Sequence, residues 1–355
     1  MKKLDDFDEK RKIDSTNMLQ ITANFPDDFS DAINYMNNFR LPREKSVIEN
    51  IVIAGMGGSA IGGDIIQSFF NEIYERPIFV VRDYKLPAFV NERSLVITAS
   101  YSGETEETLS AFNDALQKKA TIIGISSGGT LEQLCKKRNV IHIKIPGGRA
   151  PRCATAYMFI PQFAIVSMLC DYNYKKEIEN TRKILYDLRE KIIFDVPANK
   201  NPAKKIAMDI YNSFPVIYGY GITAPIAKRW RTQFNENSKI LARDDIFPEL
   251  NHNDTVGWSG DNFPERFTVI LLRDKTEYEN SRIKKRIEIS KSLVLKKSKK
   301  VIEVYAHGDM KLARMLSLMY IGDFVSIYLA LLRGIDPYPV EVINKLKEML
   351  DKSKE

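Results

Sequence analysis

The chain has 355 residues, 44% hydrophobic and 28% charged, with a formal net charge of +7. That length is long for one core and sets a prior of two domains of about 150 residues each. Its three cysteines, Cys135, Cys153 and Cys170, are odd in number and lack C-x-x-C spacing, which excludes a disulfide framework and a cysteine-rich zinc site.

The opening "MKKLDDFDEK" has two lysines but no apolar region, unlike a secretory signal. A helical lead-in over 1–30 is expected. Residues 31–170 then alternate. Apolar "NIVIAGMG" (50–57) is a strand, followed by a glycine loop and helical "AIGGDIIQSFFNEI". Strands "RPIFVVRDY" (76–84) and "SLVITASYS" (94–102) come next, then a helix with Leu109, Phe112 and Leu116 on one face. Strand "TIIGISS", helix "GTLEQLCKKRN" and strand "VIHIKIP" (140–146) follow. The apolar run 156–170 is too short to span a bilayer, and the run 315–332 contains Asp323, so both are expected to be buried helices and no membrane partner is implied. Charged, helical 171–200 reads as a connector. A fainter alternation over 201–340 carries strands at 214–221, 266–274 and 300–306, and 341–355 reads as a C-terminal helix. Short, nearly continuous apolar strands separated by helices specify an α/β fold: two similar doubly wound domains, each with a parallel sheet covered on both faces. No repeat aligns the halves by identity. The basic run "KKRIEISKSLVLKKSKK" (284–300) has apolar residues at helical spacing and no nucleic-acid module beside it, so it reads as a solvated helix face.

Chemistry concentrates in two loops. Gly55-Met56-Gly57-Gly58-Ser59-Ala60 joins a strand to a helix and fits both a dinucleotide fingerprint and a phosphate cradle. Asp83, near the end of the next strand, keeps the dinucleotide reading open. The second loop, "ASYSGETEETL" (99–109), decides between them. Ser100, Ser102 and Thr105 gather around Gly103 at another helix N-terminus, and hydroxyls with N–H groups satisfy a terminal phosphate. The plainer account of this loop is a serine-rich cap with Thr105 as the capping residue.

The pattern "GMGGSA…SYSGETEETL" resembles the sugar isomerase (SIS) family, whose domains bind phosphosugars with such loops. With "GGRAPR", "QFNENSK" and "ELNHND" it resembles, in the same order from about residue 50 to 350, the bifunctional phosphoglucose/phosphomannose isomerases. The resemblance implies SIS-type, flavodoxin-like domains, hexose 6-phosphate substrates and interconversion of glucose, mannose and fructose 6-phosphates through a cis-enediol. It implies no cofactor and no metal, and a cytoplasmic homodimer with shared active sites that binds no nucleic acid. It puts phosphate binding on Gly57, Gly58, Ser59, Ser100, Ser102 and Thr105, and the base on Glu236. It puts ring opening on His252 reaching from the neighbouring subunit, positive charge on Arg152, and a site lysine on Lys347. Arg149 is expected to contact backbone or phosphate, His142 to be structural, and His307 is unassigned. Some relatives carry a threonine just before the last helix, tied to acceptance of both C2 epimers, where Val340 stands here. The competing readings are a phosphosugar-sensing SIS binding protein and an isomerase specific for glucose 6-phosphate. The three scattered histidines offer no metal-ligand spacing.

Overall fold

The computed structural model describes residues 4–42, 44–260 and 263–352, so the opening Met-Lys-Lys of the lead-in and the last three residues of the tail lie outside the described residues. Three short helices open the chain: α1 (Phe7–Ile13), α2 (Met18–Ala23) and α3 (Phe25–Ala32). The first sheet is laid down as β1 (Asn50–Gly55), α4 (Gly57–Phe70), β2 (Ile78–Val81), β3 (Ser94–Ala99), α5 (Glu106–Gln117), β4 (Thr121–Ser126), α6 (Gly129–Lys137) and β5 (Ile141–Lys144). Helices α7 (Thr155–Leu169), α8 (Tyr174–Ile192) and α9 (Pro202–Ile210) lead to the second sheet. That sheet runs β6 (Phe214–Gly219), α10 (Ala224–Glu236), β7 (Arg243–Ile246), α11 (Asp254–Gly260), β8 (Phe267–Arg273), α12 (Ser281–Leu293) and β9 (Lys300–Tyr305). Helices α13 (Lys311–Leu332) and α14 (Glu341–Lys352) close the chain.

Both sheets are parallel throughout, in the orders β2-β1-β3-β4-β5 and β7-β6-β8-β9. Their apolar strands serve two cores at once. Ile51 and Ile53 of β1 face a core shared by both sheets, while Val52 and Ala54 face an outer layer with Phe112 and Leu131. In β8, Ile270 and Leu272 face the shared core, and Val269 and Leu271 pack outward against Ile283 and Ile287 of α12. Side chains alternate along a strand, so a sheet covered on both faces needs apolar residues at every position. β7, with the sequence Arg-Asp-Asp-Ile, carries none of that signal. It is an edge strand paired only to β6 and was not expected from the sequence.

The shared core is closed by α7 and α13. Every residue from Leu312 to Leu331 is buried. Among the described residues α13 is the one helix long and apolar enough to cross a membrane, and its apolar window lies wholly inside this chain. A helix that is hydrophobic all round belongs in such a place. In each sheet the strand order reverses beside the first strand, β1 or β6. Ligands of open α/β sheets bind at that switch point, outside the carboxyl ends of the strands.

Candidate active site

At the first switch point β1 turns into α4 through the glycine loop. Gly57 has a positive φ of 49°, which favours glycine. Gly58 lies on the backbone of Arg152, where an added Cβ would stand 3.1 Å from the Pro151 carbonyl oxygen and 3.2 Å from the Arg152 Cα. The second loop leaves β3 and enters α5. Ser59 Oγ accepts the Tyr101 N–H at 3.2 Å, so the two loops are joined. Buried Ser100 accepts the Gly103 N–H at 3.1 Å, and its Oγ lies 2.8 Å from Thr105 Oγ1. Ser102 is exposed and accepts the Glu104 N–H at 3.2 Å. Thr105 occupies the N-cap position of α5 but its side chain makes no cap hydrogen bond. Its hydroxyl turns to Ser100 instead, so the reading of the loop as a simple cap does not hold. Two helix N-termini and a set of hydroxyls converge there, an arrangement that favours an anion.

Arg152 follows in a short 3-10 turn (Pro151–Cys153) before α7, and Glu236 is the last residue of α10. The arginine is only 3% exposed. Its Nε donates to Asn237 Oδ1 at 2.7 Å, and its Nη2 donates to the carbonyls of Pro337 (2.9 Å) and Tyr338 (2.6 Å). Nη1 faces Glu236 Oε2 at 3.6 Å, an ion-pair distance longer than a hydrogen bond. The resemblance assigns this guanidinium the positive charge of the site. The structure commits most of it to the protein and leaves one edge toward the carboxylate. Glu236 opens onto a groove of about 700 Å³ shared with Lys239, Leu241, Ile335, Pro339, Val340 and Ile343. Val340 therefore borders the candidate base. Lys239 donates to the Glu236 carbonyl and, at 3.1 Å, to that of Pro337. Burial of its ammonium, reinforced by the Arg152 charge, pushes its pKa down. Sequence reasoning gave Lys239 no role, although it closes the "QFNENSK" motif.

Two expected residues stand apart. His252 ends a 3-10 turn (Glu249–His252) with its side chain exposed, and does not meet Glu236 within one chain. Its loop is anchored by Asp254, which accepts from Tyr218 Oη and pairs with Arg243 at 2.6 Å. Lys347 is exposed on α14, one turn beyond groove-lining Ile343, and makes no hydrogen bond or ion pair among the described residues. Arg149 binds neither backbone nor phosphate loop through its side chain; it pairs with Asp28 of α3 and lies over the Tyr157 ring at 5.4 Å. His142 bonds Ser126 Oγ at 2.8 Å beneath the sheet end. All three cysteines are free, and burial pushes the Cys135 and Cys153 thiols up to about 11. Among the described residues no group of three or more His, Cys, Asp or Glu is placed to hold a metal ion.

The second switch point repeats the first loop in outline. Gly55-Met56-Gly57-Gly58-Ser59-Ala60 recurs as Gly219-Tyr220-Gly221-Ile222-Thr223-Ala224, and Gly221 has a φ of 52° against 49° at Gly57. A cleft of about 420 Å³ lies there, lined by Gly221, Thr223, Arg273, Asp274 and Arg314 among others. Its guanidiniums are already answered, Arg273 by Glu279 at 2.6 Å and Arg314 by Asp274 at 2.8 Å. Among the described residues nothing there corresponds to the Ser100–Thr105 pair, so the first crevice offers the more open set of hydroxyls to an anion.

The sequence matches the family model for the SIS domain over residues 46–170, and that for the bacterial phospho-glucose isomerase C-terminal SIS domain over 199–350. It is 41% identical to a bifunctional phosphoglucose/phosphomannose isomerase of Caldicellulosiruptor bescii over 341 residues, covering 95% of this chain and 100% of that one. It is 38% identical to the protein so named in Thermoplasma acidophilum, covering 90% and 94%. Among solved structures, a glucose-6-phosphate isomerase-like protein from Thermus thermophilus aligns with a TM-score of 0.63 at 19% identity, covering 97% and 98% of the two chains. At that identity the likeness speaks for the fold.

Proposed function

Because the chain belongs to the family of bifunctional phosphoglucose/phosphomannose isomerases, we propose that it interconverts glucose, mannose and fructose 6-phosphates through a cis-enediol, with Glu236 moving the proton. One observation carries the residue assignment. The phosphate-type loop, Arg152 and Glu236 meet in one corner, with Gly58 against the Arg152 backbone and Arg152 Nη1 against the carboxylate.

In this reading the phosphate rests on the N–H groups of Gly57 and Gly58 and on the hydroxyls of Ser59, Ser100, Ser102 and Thr105. The sugar then runs from the first crevice toward the groove at Glu236. Once the ring is open, Glu236 takes the proton from the carbon beside the carbonyl and returns it to the neighbouring carbon. The nearby guanidinium of Arg152 favours the negative charge that develops on the enediolate. Glucose and mannose 6-phosphates share one enediol, so acceptance of both depends on which face of C2 receives the proton. Val340 at the groove bears on that choice as an apolar wall.

Ring opening falls to His252 of a second subunit. Support comes from its exposure and from the apolar surface around the groove. Leu241 is 76% exposed, Val256 four residues beyond His252 is 70%, and Val342 on α14 is 84%. Val342, at the edge of that groove, Leu346 and Met349 form an exposed apolar stripe on α14. Packed against a partner, α14 brings Lys347 toward the groove on the face it shares with Ile343. No metal or cofactor takes part, and the enzyme works in the cytoplasm.

The test offers fructose 6-phosphate to the EDTA-treated protein. Glucose and mannose 6-phosphates are both expected, and Glu236→Gln is expected to abolish both together. Retention of one product in that variant means that separate bases act, and the assignment fails.

A further inference from the structure

Beneath Arg152 and Glu236 runs a line of buried polar side chains that the reaction itself does not use. Arg229, Gln233 and Asn237 stand four residues apart, on one face of α10 and its C-terminal cap. They meet Asp323 and Ser326, three residues apart on α13. All five are buried. Arg229 holds Asp323 in a two-pronged pair, Nε to Oδ1 and Nη2 to Oδ2, both at 3.0 Å. Gln233 Nε2 donates to the same Asp323 Oδ1 at 2.9 Å. Asn237 Nδ2 donates to Ser326 Oγ at 2.9 Å.

The line has two outlets, and both lead to Arg152. Arg229 Nη2 donates to the Arg152 carbonyl at 2.8 Å, fixing its backbone. Asn237 Oδ1 accepts from Arg152 Nε at 2.7 Å, fixing its side chain. Arginine has only donors, so the Asn237 amide can face it only with its oxygen, and its nitrogen must then turn to Ser326. The orientation of the Asn237 amide is thereby set.

A buried ion pair gains little over well-packed apolar residues of the same volume, whereas removal of one partner costs several kcal/mol. A buried ion pair with three neutral polar side chains, between two helices that could pack with leucine, is therefore poorly explained as a source of stability. We propose that Asn237 and Asp323 are positioning residues of the isomerase. Asn237 aims the guanidinium of Arg152, Asp323 holds its backbone through Arg229, and together they present Nη1 to Glu236. The inference rests on the reading of Glu236 as the base.

The test compares Asn237→Ala and Asp323→Asn with Trp230→Phe in the full-length enzyme. Trp230 lies on α10 beside the row, and its Nε1 donates to the Leu318 carbonyl on α13 at 2.9 Å, so its loss strains the same helix contact without touching Arg152. For the two row variants, kcat with fructose 6-phosphate is expected to fall by about 10- to 100-fold, with KM changed less than about threefold. Trp230→Phe is expected to lower Tm at least as much while keeping kcat. The inference is overturned if the row variants keep kcat, or if Trp230→Phe loses it in proportion to Tm. Glu236→Gln, run alongside, separates the two claims. If it is inactive while Asn237→Ala is not impaired, only the positioning role falls. If it is active, the reading of the base falls, and this inference with it.

Discussion

A carboxylate that takes a proton from carbon has to be aimed before the substrate arrives. Glu236, proposed for that step, closes a helix whose buried polar face is fixed, while its own side chain opens to a groove. Its setting between two asparagines was readable from the sequence. The posture of Arg152 was not, because its partners Asn237 and Pro337 lie 85 and 185 residues further along the chain. No local pattern reports a contact of that range. His307 makes the stability of the fold depend on pH. Burial lowers its pKa from the ordinary 6.5, and the charges of Lys191 and Lys275 act in the same direction. In the unfolded chain it titrates near the ordinary value, so as pH falls below about 6.5 the unfolded state takes up a proton that the folded state refuses. Stability is thus present above that value and declines as pH drops through it, levelling off below the folded-state pKa. His142, also lowered chiefly by burial, contributes with the same sign. The expected result is a Tm that is steady above about pH 7 and falls as the pH is lowered through about 6.5 and below. The decline should be shallower in His307→Gln. Equal slopes in the two proteins would remove His307 from this account.

Between elements, the decisive contact is the crossing of α10 and α13, which joins the second sheet to the shared core. It is close because of one glycine. A Cβ on Gly322 would stand 2.2 Å from Trp230 Nε1, well inside contact distance. Gly322→Ala is therefore expected to cost at least about 1–3 kcal/mol by overpacking, since the indole is held by its bond to Leu318 and has no room to yield. A thermal melt checks this, and an unchanged Tm would show that the crossing relaxes freely. The strands of both sheets could be read from their apolar runs, because burial on two faces leaves a continuous signal. Their ends were set too late. β1 stops at Gly55 and β3 at Ala99, where the chain turns into the two hydroxyl-bearing loops. β7 was missed since an edge strand with polar residues has no period to detect, and the path from Glu236 to His252 runs through it. The kinship of the two glycine loops was also hidden. It rests on three identical residues and a shared backbone turn, which identity alone does not align.

One chain brings together the crevice between the two loops, Arg152 and Glu236, and leaves His252 and Lys347 apart from them. That division is what a composite site predicts, and it makes the assembly testable by mixing. If Glu236 of one subunit works with His252 of the other, Glu236→Gln and His252→Asn are each inactive as homodimers. A hybrid of the two differs. One of its sites receives both mutations and the other receives neither, so half of its sites are restored. Equal mixing with free exchange makes about half the dimers hybrid, and recovery of about one quarter of wild-type activity is expected. If both residues acted within one chain, every site in every mixture would lack one of them and no activity would return. The apolar stripe of α14 enters the same experiment. Leu346→Asp, placed at its centre, should separate the subunits in sedimentation and abolish the recovery, whereas a charge on the outer face of α12 should do neither. Activity that returned on mixing monomeric Leu346→Asp versions of the two variants would mean that His252 reaches Glu236 without the helix, and the dimer geometry argued from that stripe would be wrong.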